Sequence, residues 1–141
     1  MIISQPKEMI AAFVSARQGL DLRAPWGEFC ALGLMRHGRF VAGVIYNKME
    51  GANVCMHIGA VGGAKWLNEE FLHAAFDYPF NELRKRRVTA CIRASNRKAI
   101  KFVKNLGFEY EGTMKHYYSD DDMVIHGMLR EKCRFLMRKA A

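Results

Sequence analysis

The segment "CIRASNRKAIKFVKNLGFEYEG", Cys91 to Gly112, sets an asparagine and four basic side chains on a short helix that opens directly at the end of a strand. A helix N-terminus carries unpaired N–H groups and a partial positive charge, so this arrangement suits an anionic ligand. Asn96 is equally one of the best helix N-caps, and the two roles are compatible. Arg97, Lys98, Lys101 and Lys104 fall around the outer face, where solvation is their ordinary part. Histidine is the side chain whose unperturbed pKa suits proton transfer near neutrality. His57, in "NVCMHIGAV", and His116 and His126, in the last two strand-like runs, are the candidates, with a role in filling the sheet as the alternative. Cys30, Cys55, Cys91 and Cys133 stand far apart and form no C-x-x-C pair, so a zinc site or redox motif has no support. Each falls in a strand-like run, as a buried reduced thiol would.

These residues need a scaffold, and the chain's 141 residues suffice for one domain, 1–141. Half of them are hydrophobic, enough for a real core. The apolar runs are too short to cross a bilayer and the N-terminus lacks a secretory pattern, so the expected location is cytoplasmic. A net charge of +8 favours anionic partners without choosing among them. The dense cluster Arg84 to Arg87 is expected to be a solvated face.

Met9, Ile10, Phe13 and Val14 recur at helical spacing between Pro6 and Gly19. A connector, Leu20 to Gly27, leads into two strands around a His37–Gly38 turn, and a third strand follows the Glu50–Gly51 turn. Trp66, Leu67, Phe71, Ala74, Ala75 and Tyr78 restore helical spacing, which should end at Pro79. Strand "RRVTACIRA", a helix stopped by Gly107, and two strands joined by the acidic turn Ser119–Asp122 complete the order. The last strand is expected to run to Phe135. This order predicts an α/β (α+β) fold with a mixed, mostly antiparallel sheet of six to seven strands and helices on both faces.

Asn96, Ala99, Leu106–Gly107–Phe108 and Glu111–Gly112, in that order behind a strand, resemble the GNAT N-acetyltransferase superfamily, and within it the ribosomal-protein N-terminal acetyltransferase branch. The likeness is strongest from about Asn53 to Phe135. It implies acetyl-CoA as cosubstrate and a primary amine as acceptor, either a protein N-terminus or a small molecule. It also implies direct attack in a ternary complex. In that fold two neighbouring strands part at one end, and the amide-rich pantetheine arm satisfies the backbone groups left unpaired there.

By this resemblance the pyrophosphate turn is "IGAVGGAKW", where Gly62 and Gly63 permit close backbone approach, Ala64 follows, and Lys65 adds a cation. The family's usual Arg or Gln at the head of that turn is replaced by Gly59. Asn96 would bond the pantetheine arm, and a backbone N–H near Ile58 would serve as oxyanion donor. His57 would be the base. Val103 stands where many relatives place an acidic tyrosine, which leaves Tyr117, Tyr118, Ser95 or water to protonate the thiolate. Glu111 is a further base candidate. Asp120 to Asp122 could attract a cationic acceptor, and Trp26 borders the expected acceptor groove. Homodimerisation is compatible with this reading, whereas nucleic acid and membrane are not expected partners. A catalytically silent, CoA-binding or protein-interaction version of the fold is the alternative.

Overall fold

The computed structural model describes residues 1–18, 26–62 and 68–136. The elements in chain order are β1 (Ile2–Ile3), α1 (Lys7–Arg17), β2 (Phe29–Arg36), β3 (Arg39–Glu50), β4 (Asn53–Ala60), α2 (Glu69–Asp77), β5 (Arg87–Arg93), α3 (Arg97–Leu106), β6 (Glu109–Tyr118) and β7 (Asp121–Leu129). They form one seven-stranded sheet in the order β1-β2-β3-β4-β5-β7-β6. All neighbours are antiparallel except β4 and β5, which run parallel through the α2 crossover. The expected fold class is therefore the observed one, with β1 as an added edge piece too short to carry a sequence pattern.

Strand alternation divides the core in two. Val44, Tyr46, Val54, Met56, Val88 and Ala90 point to the face covered by α2 and α3, where Phe71, Phe76, Val103 and Leu106 meet them. Ala31 and Ile45 point to the other face and pack under Ile10, Ala11 and Val14 of α1. α1 sits close to the sheet because Gly33, Gly43 and Gly59 form a cross-strand row beneath it. A Cβ on Gly43 would lie 2.9 Å from Val14 Cγ2, and one on Gly59 would lie 3.0 Å from Arg17 Cβ.

The hairpin turn between β2 and β3 has positive φ at both His37 and Gly38, the type I′ geometry that matches strand twist. Helical structure does not end at Pro79. A single π-helical turn, Tyr78–Glu82, carries it on, with Leu83 N–H donating to Tyr78 O at 2.9 Å. Pro79 cannot donate to the Ala75 carbonyl one turn back, and the buried Tyr46 hydroxyl donates to that carbonyl instead. Burial then holds the Tyr46 phenol well above its ordinary pKa.

The last strand stops at Leu129 and not at Phe135, because its partner β5 begins at Arg87, opposite Leu129. Short 3₁₀ turns follow, and Cys133 lies between them, outside any strand. Arg134 turns back to donate to the Leu106 and Asn105 carbonyls at 2.9 and 2.8 Å, satisfying the C-terminus of α3.

Candidate active site

The site is built where β4 and β5 part. Their pairing covers Asn53↔Arg87, Val54↔Val88 and Cys55↔Thr89 and goes no further, although both strands continue. The antiparallel ladders on either side fix which backbone groups face the gap. Val61 N–H donates to Val41 O on β3, so by alternation Gly59 and His57 also bond toward β3, whereas Met56, Ile58 and Ala60 turn their N–H and C=O toward β5. Ala94 N–H donates to Asp122 O on β7, so Cys91 and Arg93 turn theirs toward β4. The Arg93 carbonyl is taken by Asn96 N–H at 2.9 Å. Gln18, at the end of α1, donates its side-chain amide to the Ile58 carbonyl at 3.3 Å.

The gap is a slot through the sheet of about 50 Å³. Its walls are Met56, His57 and Ile58 from β4, Ala90, Cys91 and Ile92 from β5, and Ala99, Phe102 and Val103 from α3. Hydrocarbon walls with main-chain donors and acceptors along the strand edges suit a chain of methylenes and amides. Pantetheine has that composition, so the lining matches the chemistry of the arm, while the slot itself spans only a fraction of its length.

His57 stands on the α1 face of β4, beside the slot. Its Nε2 lies 2.9 Å from Asn47 Oδ1, and its ring centroid lies 4.7 Å from that of Trp26. Burial lowers its pKa to about 4, and the Lys48 ammonium pushes the same way, so the ring is neutral at physiological pH. Trp26 is half-buried and its indole N–H donates to Ser15 Oγ at 3.0 Å, which makes it a roof over His57. Asn96 caps α3, accepting from Ala99 N–H at 3.2 Å, and its side chain is exposed at the upper end of β5. Gly62 follows β4 with φ +65, as a close-approach turn requires. Gly63, Ala64, Lys65 and Trp66 lie outside the described residues. Gly59, at the family's Arg/Gln position, is buried within β4 beneath the Arg17 stem, a packing reason for a residue without a side chain.

His57, Ile58 and Val103 are thus brought together at the slot, and Gly62 and Asn96 follow the C-terminal ends of β4 and β5, the two strands that part there. Tyr117 is not among them: it is exposed on the edge strand β6, which is separated from β4 by β5 and β7. Tyr118 stacks on Arg93, whose guanidinium lies 4.0 Å from the ring centroid. Glu111 pairs with Arg87 at 2.7 Å, away from the slot. His126 is buried on the α2–α3 side, and His116 N–H donates to Asp122 Oδ1 at 2.8 Å.

The acidic turn is committed to structure. Asp120 pairs with Arg93 at 2.9 Å, Asp121 accepts from Ser95 Oγ at 2.6 Å and from Ser95 N–H at 3.1 Å, and Asp122 holds His116. Ser95 is occupied by the same contact. Arg97, Lys98, Lys101 and Lys104 are exposed, as expected. Arg87 departs from the expected solvated cluster, since it bonds Glu111, Asn53 and Thr89. Gln18 and Asn47 carried no sequence signal, because each acts through a partner distant along the chain. The four cysteines are free thiols. Among the described residues no cluster could hold a metal ion, and no helix is long and apolar enough to cross a membrane.

Residues 38–129 match the family model described as an acetyltransferase (GNAT) domain. The chain belongs to the GNAT acetyltransferase family. It is therefore an N-acetyltransferase, of a family that takes acetyl-CoA as cosubstrate and transfers acetyl to an amine. Solved structures share the fold at low identity. A spermidine N-acetyltransferase SpeG chimera from Vibrio cholerae and hSSAT superposes with a TM-score of 0.73 at 12% identity, over 97% of this chain and 99% of that one. IAA acetyltransferase from Bacillus cereus ATCC 14579 gives 0.75 at 12% identity, over 92% and 98%. A dodecameric spermidine N-acetyltransferase from Vibrio cholerae gives 0.74 at 12% identity, over 94% of each chain. A search of curated proteins finds no match.

Proposed function

We propose that this GNAT protein acetylates a primary amine of low pKa, a protein or peptide N-terminus, by direct attack on acetyl-CoA in a ternary complex, as in the ribosomal-protein N-terminal branch. The observation that carries the reading is a His57 ring held at 2.9 Å from Asn47 Oδ1 beside the parted strands β4 and β5.

The slot takes the pantetheine arm against the edge groups of Met56, Ile58 and Ala60. Asn96 bonds the arm, and Gly62, Gly63, Ala64 and Lys65, which stand between β4 and α2 in the chain, take the pyrophosphate. The Ile58 N–H faces the slot and is the oxyanion donor. Attack by the neutral amine gives an adduct whose N–H⁺ is far more acidic than a free ammonium, so a weak base such as His57 accepts the proton. The imidazolium so formed is a far stronger acid than an alkyl thiol such as cysteine's, with a pKa of about 8.5, so it can return the proton to the departing thiolate. Val103 supplies no acid, and Tyr117 stands too far along the sheet to be needed.

A base with a pKa of about 4 cannot strip a lysine ammonium, so the amine must arrive neutral. At pH 7.5 about a quarter of an α-amine is neutral, against about a thousandth of a lysine side chain. In the acidic turn Asp120 is already paired with Arg93, and Asp121 and Asp122 are tied to Ser95 and His116. The test is thiol release from acetyl-CoA over peptides with the α-amine free or blocked and lysine present or absent, with polyamines alongside. Turnover confined to free α-amines is expected; preference for polyamines or lysine would overturn the acceptor assignment.

A further inference from the structure

We infer that Asn47 is a positioning residue, which orients the His57 ring and decides which of its nitrogens is free to take a proton. The inference rests on the base reading above and deepens it. Asn47 is 3% exposed, between two partners of opposite kind. Its Nδ2 lies 3.1 Å from the Trp26 carbonyl oxygen, an atom that can only accept. The amide nitrogen must therefore face Trp26, and Oδ1 must face His57 Nε2 at 2.9 Å. An amide oxygen also only accepts, so Nε2 carries the hydrogen and Nδ1 holds the lone pair.

The two ring nitrogens point in nearly opposite directions. Nε2 is turned toward Asn47 on β3, so Nδ1 is turned away from β3, to the side on which β5 has parted from β4. The indole of Trp26, itself held by Ser15, lies against the imidazole and restrains its rotation. Ser15 and Asn47 are thus two of the few buried polar side chains on this face, and both serve the setting of one histidine.

Two substitutions separate this role from plain packing. Asn47→Val removes both hydrogen bonds. Asn47→Asp keeps an acceptor for His57 and loses the donor to Trp26. Turnover should fall about tenfold or more in Asn47→Val, with KM for acetyl-CoA unchanged, and stay within about threefold of wild type in Asn47→Asp. An equal fall in both would make Asn47 an anchor for Trp26 and overturn the inference. Imidazole ¹⁵N shifts of the wild-type protein, assigned against His57→Gln, give a test that needs no folded Asn47 variant. They should show hydrogen on Nε2; hydrogen on Nδ1 would overturn the inference. Wild-type turnover in His57→Gln would end the base reading itself, whereas a slow His57→Gln beside a fast Asn47→Val would end only the part played by Asn47.

Discussion

The two ends of the β4–β5 seam are made differently. At the closed end the strands pair through Asn53, Val54 and Cys55, and side chains lock them: Arg87 donates to Asn53 Oδ1 and Thr89 Oγ1 and pairs with Glu111. At the open end the strands have apolar side chains on one face and nothing from each other's backbone, and the Gln18 amide reaches in from α1 to the Ile58 carbonyl. The contrast teaches that the opening is held and not merely unformed. Two parallel strands left to themselves would extend their ladder, since unpaired buried backbone groups are costly. Here the β3 and β7 ladders on the outside, the α1 helix on its glycine row, and the polar lock below keep the gap ready for a ligand that completes it.

The largest expected effect is at the open end. His57→Gln should lower turnover by about a hundredfold or more while leaving coenzyme A affinity within about twofold, because general-base catalysis commonly contributes 10²–10⁴. Steady-state kinetics beside a coenzyme A titration would show it; equal losses in both would make His57 a wall of the slot instead. The wild-type rate should not report His57 between pH 6 and 9, since its pKa of about 4 lies below that range. It should instead rise with the ionisation of the acceptor amine, and move when an acceptor of different pKa is used.

The same histidine ties the open end to stability. The folded pKa of His57, about 4, lies below the unfolded value of 6.5, so the unfolded chain binds more protons between them. Its contribution is complete above pH 6.5 and is lost as pH falls toward 4. His126 is shifted the same way, first by burial, and neither ring nitrogen has a hydrogen-bond partner among the described residues. Unfolding free energies from urea titrations at pH 7.5 and 4.5 should differ by on the order of 2–3 kcal/mol from His57 alone. His57→Gln and His126→Leu should each flatten the dependence; an unchanged slope in both would show that these rings do not resist protonation.

The closed end predicts stability loss without loss of binding. Arg87→Met removes the bonds to Asn53, to the buried Thr89 and to the exposed Glu111, at a cost of about 1–2 kcal/mol. Coenzyme A affinity measured well below the melting temperature should hold. A large fall in affinity would mean that the lock sets the width of the slot as well as its strength.

How much of this was legible in sequence follows from the range of each interaction. The β2–β3–β4 meander and the α3 helix were readable because they rest on periodicity and on turn residues such as Gly38 and Gly51, whereas the parted strands followed only from the family resemblance that the Asn96-to-Gly112 pattern carries. The helix end at Pro79 was misplaced because its rescue comes from Tyr46, on a strand more than thirty residues earlier. The extent of β7 was misplaced because strand length depends on the partner, and β5 runs out first. His57 could be named from its type and place, but its tautomer and depressed pKa depend on Asn47, Trp26 and Lys48, which no local pattern joins to it. The acidic turn could be seen, but not that each carboxylate was already engaged.

Two smaller effects return to the open end. Asn96→Ala should cost about 1 kcal/mol of stability through the lost cap and weaken coenzyme A several-fold by isothermal titration. Loss of the cap energy with unchanged affinity would confine Asn96 to the helix.

Gln18 should act in the opposite direction. In the free protein its amide holds the Ile58 carbonyl, one of the groups the pantetheine arm is expected to use, and its side chain occupies part of the slot wall. Binding must then exchange one hydrogen bond for another, and a net bond of this kind is worth about 0.5–1.5 kcal/mol. Gln18→Ala frees the carbonyl beforehand, so coenzyme A should bind about two- to tenfold more tightly, with the apo protein slightly less stable. Weaker binding would show that Gln18 stays in place and contacts the arm, and the open end would then be a finished half-site and not a gap awaiting its last strand.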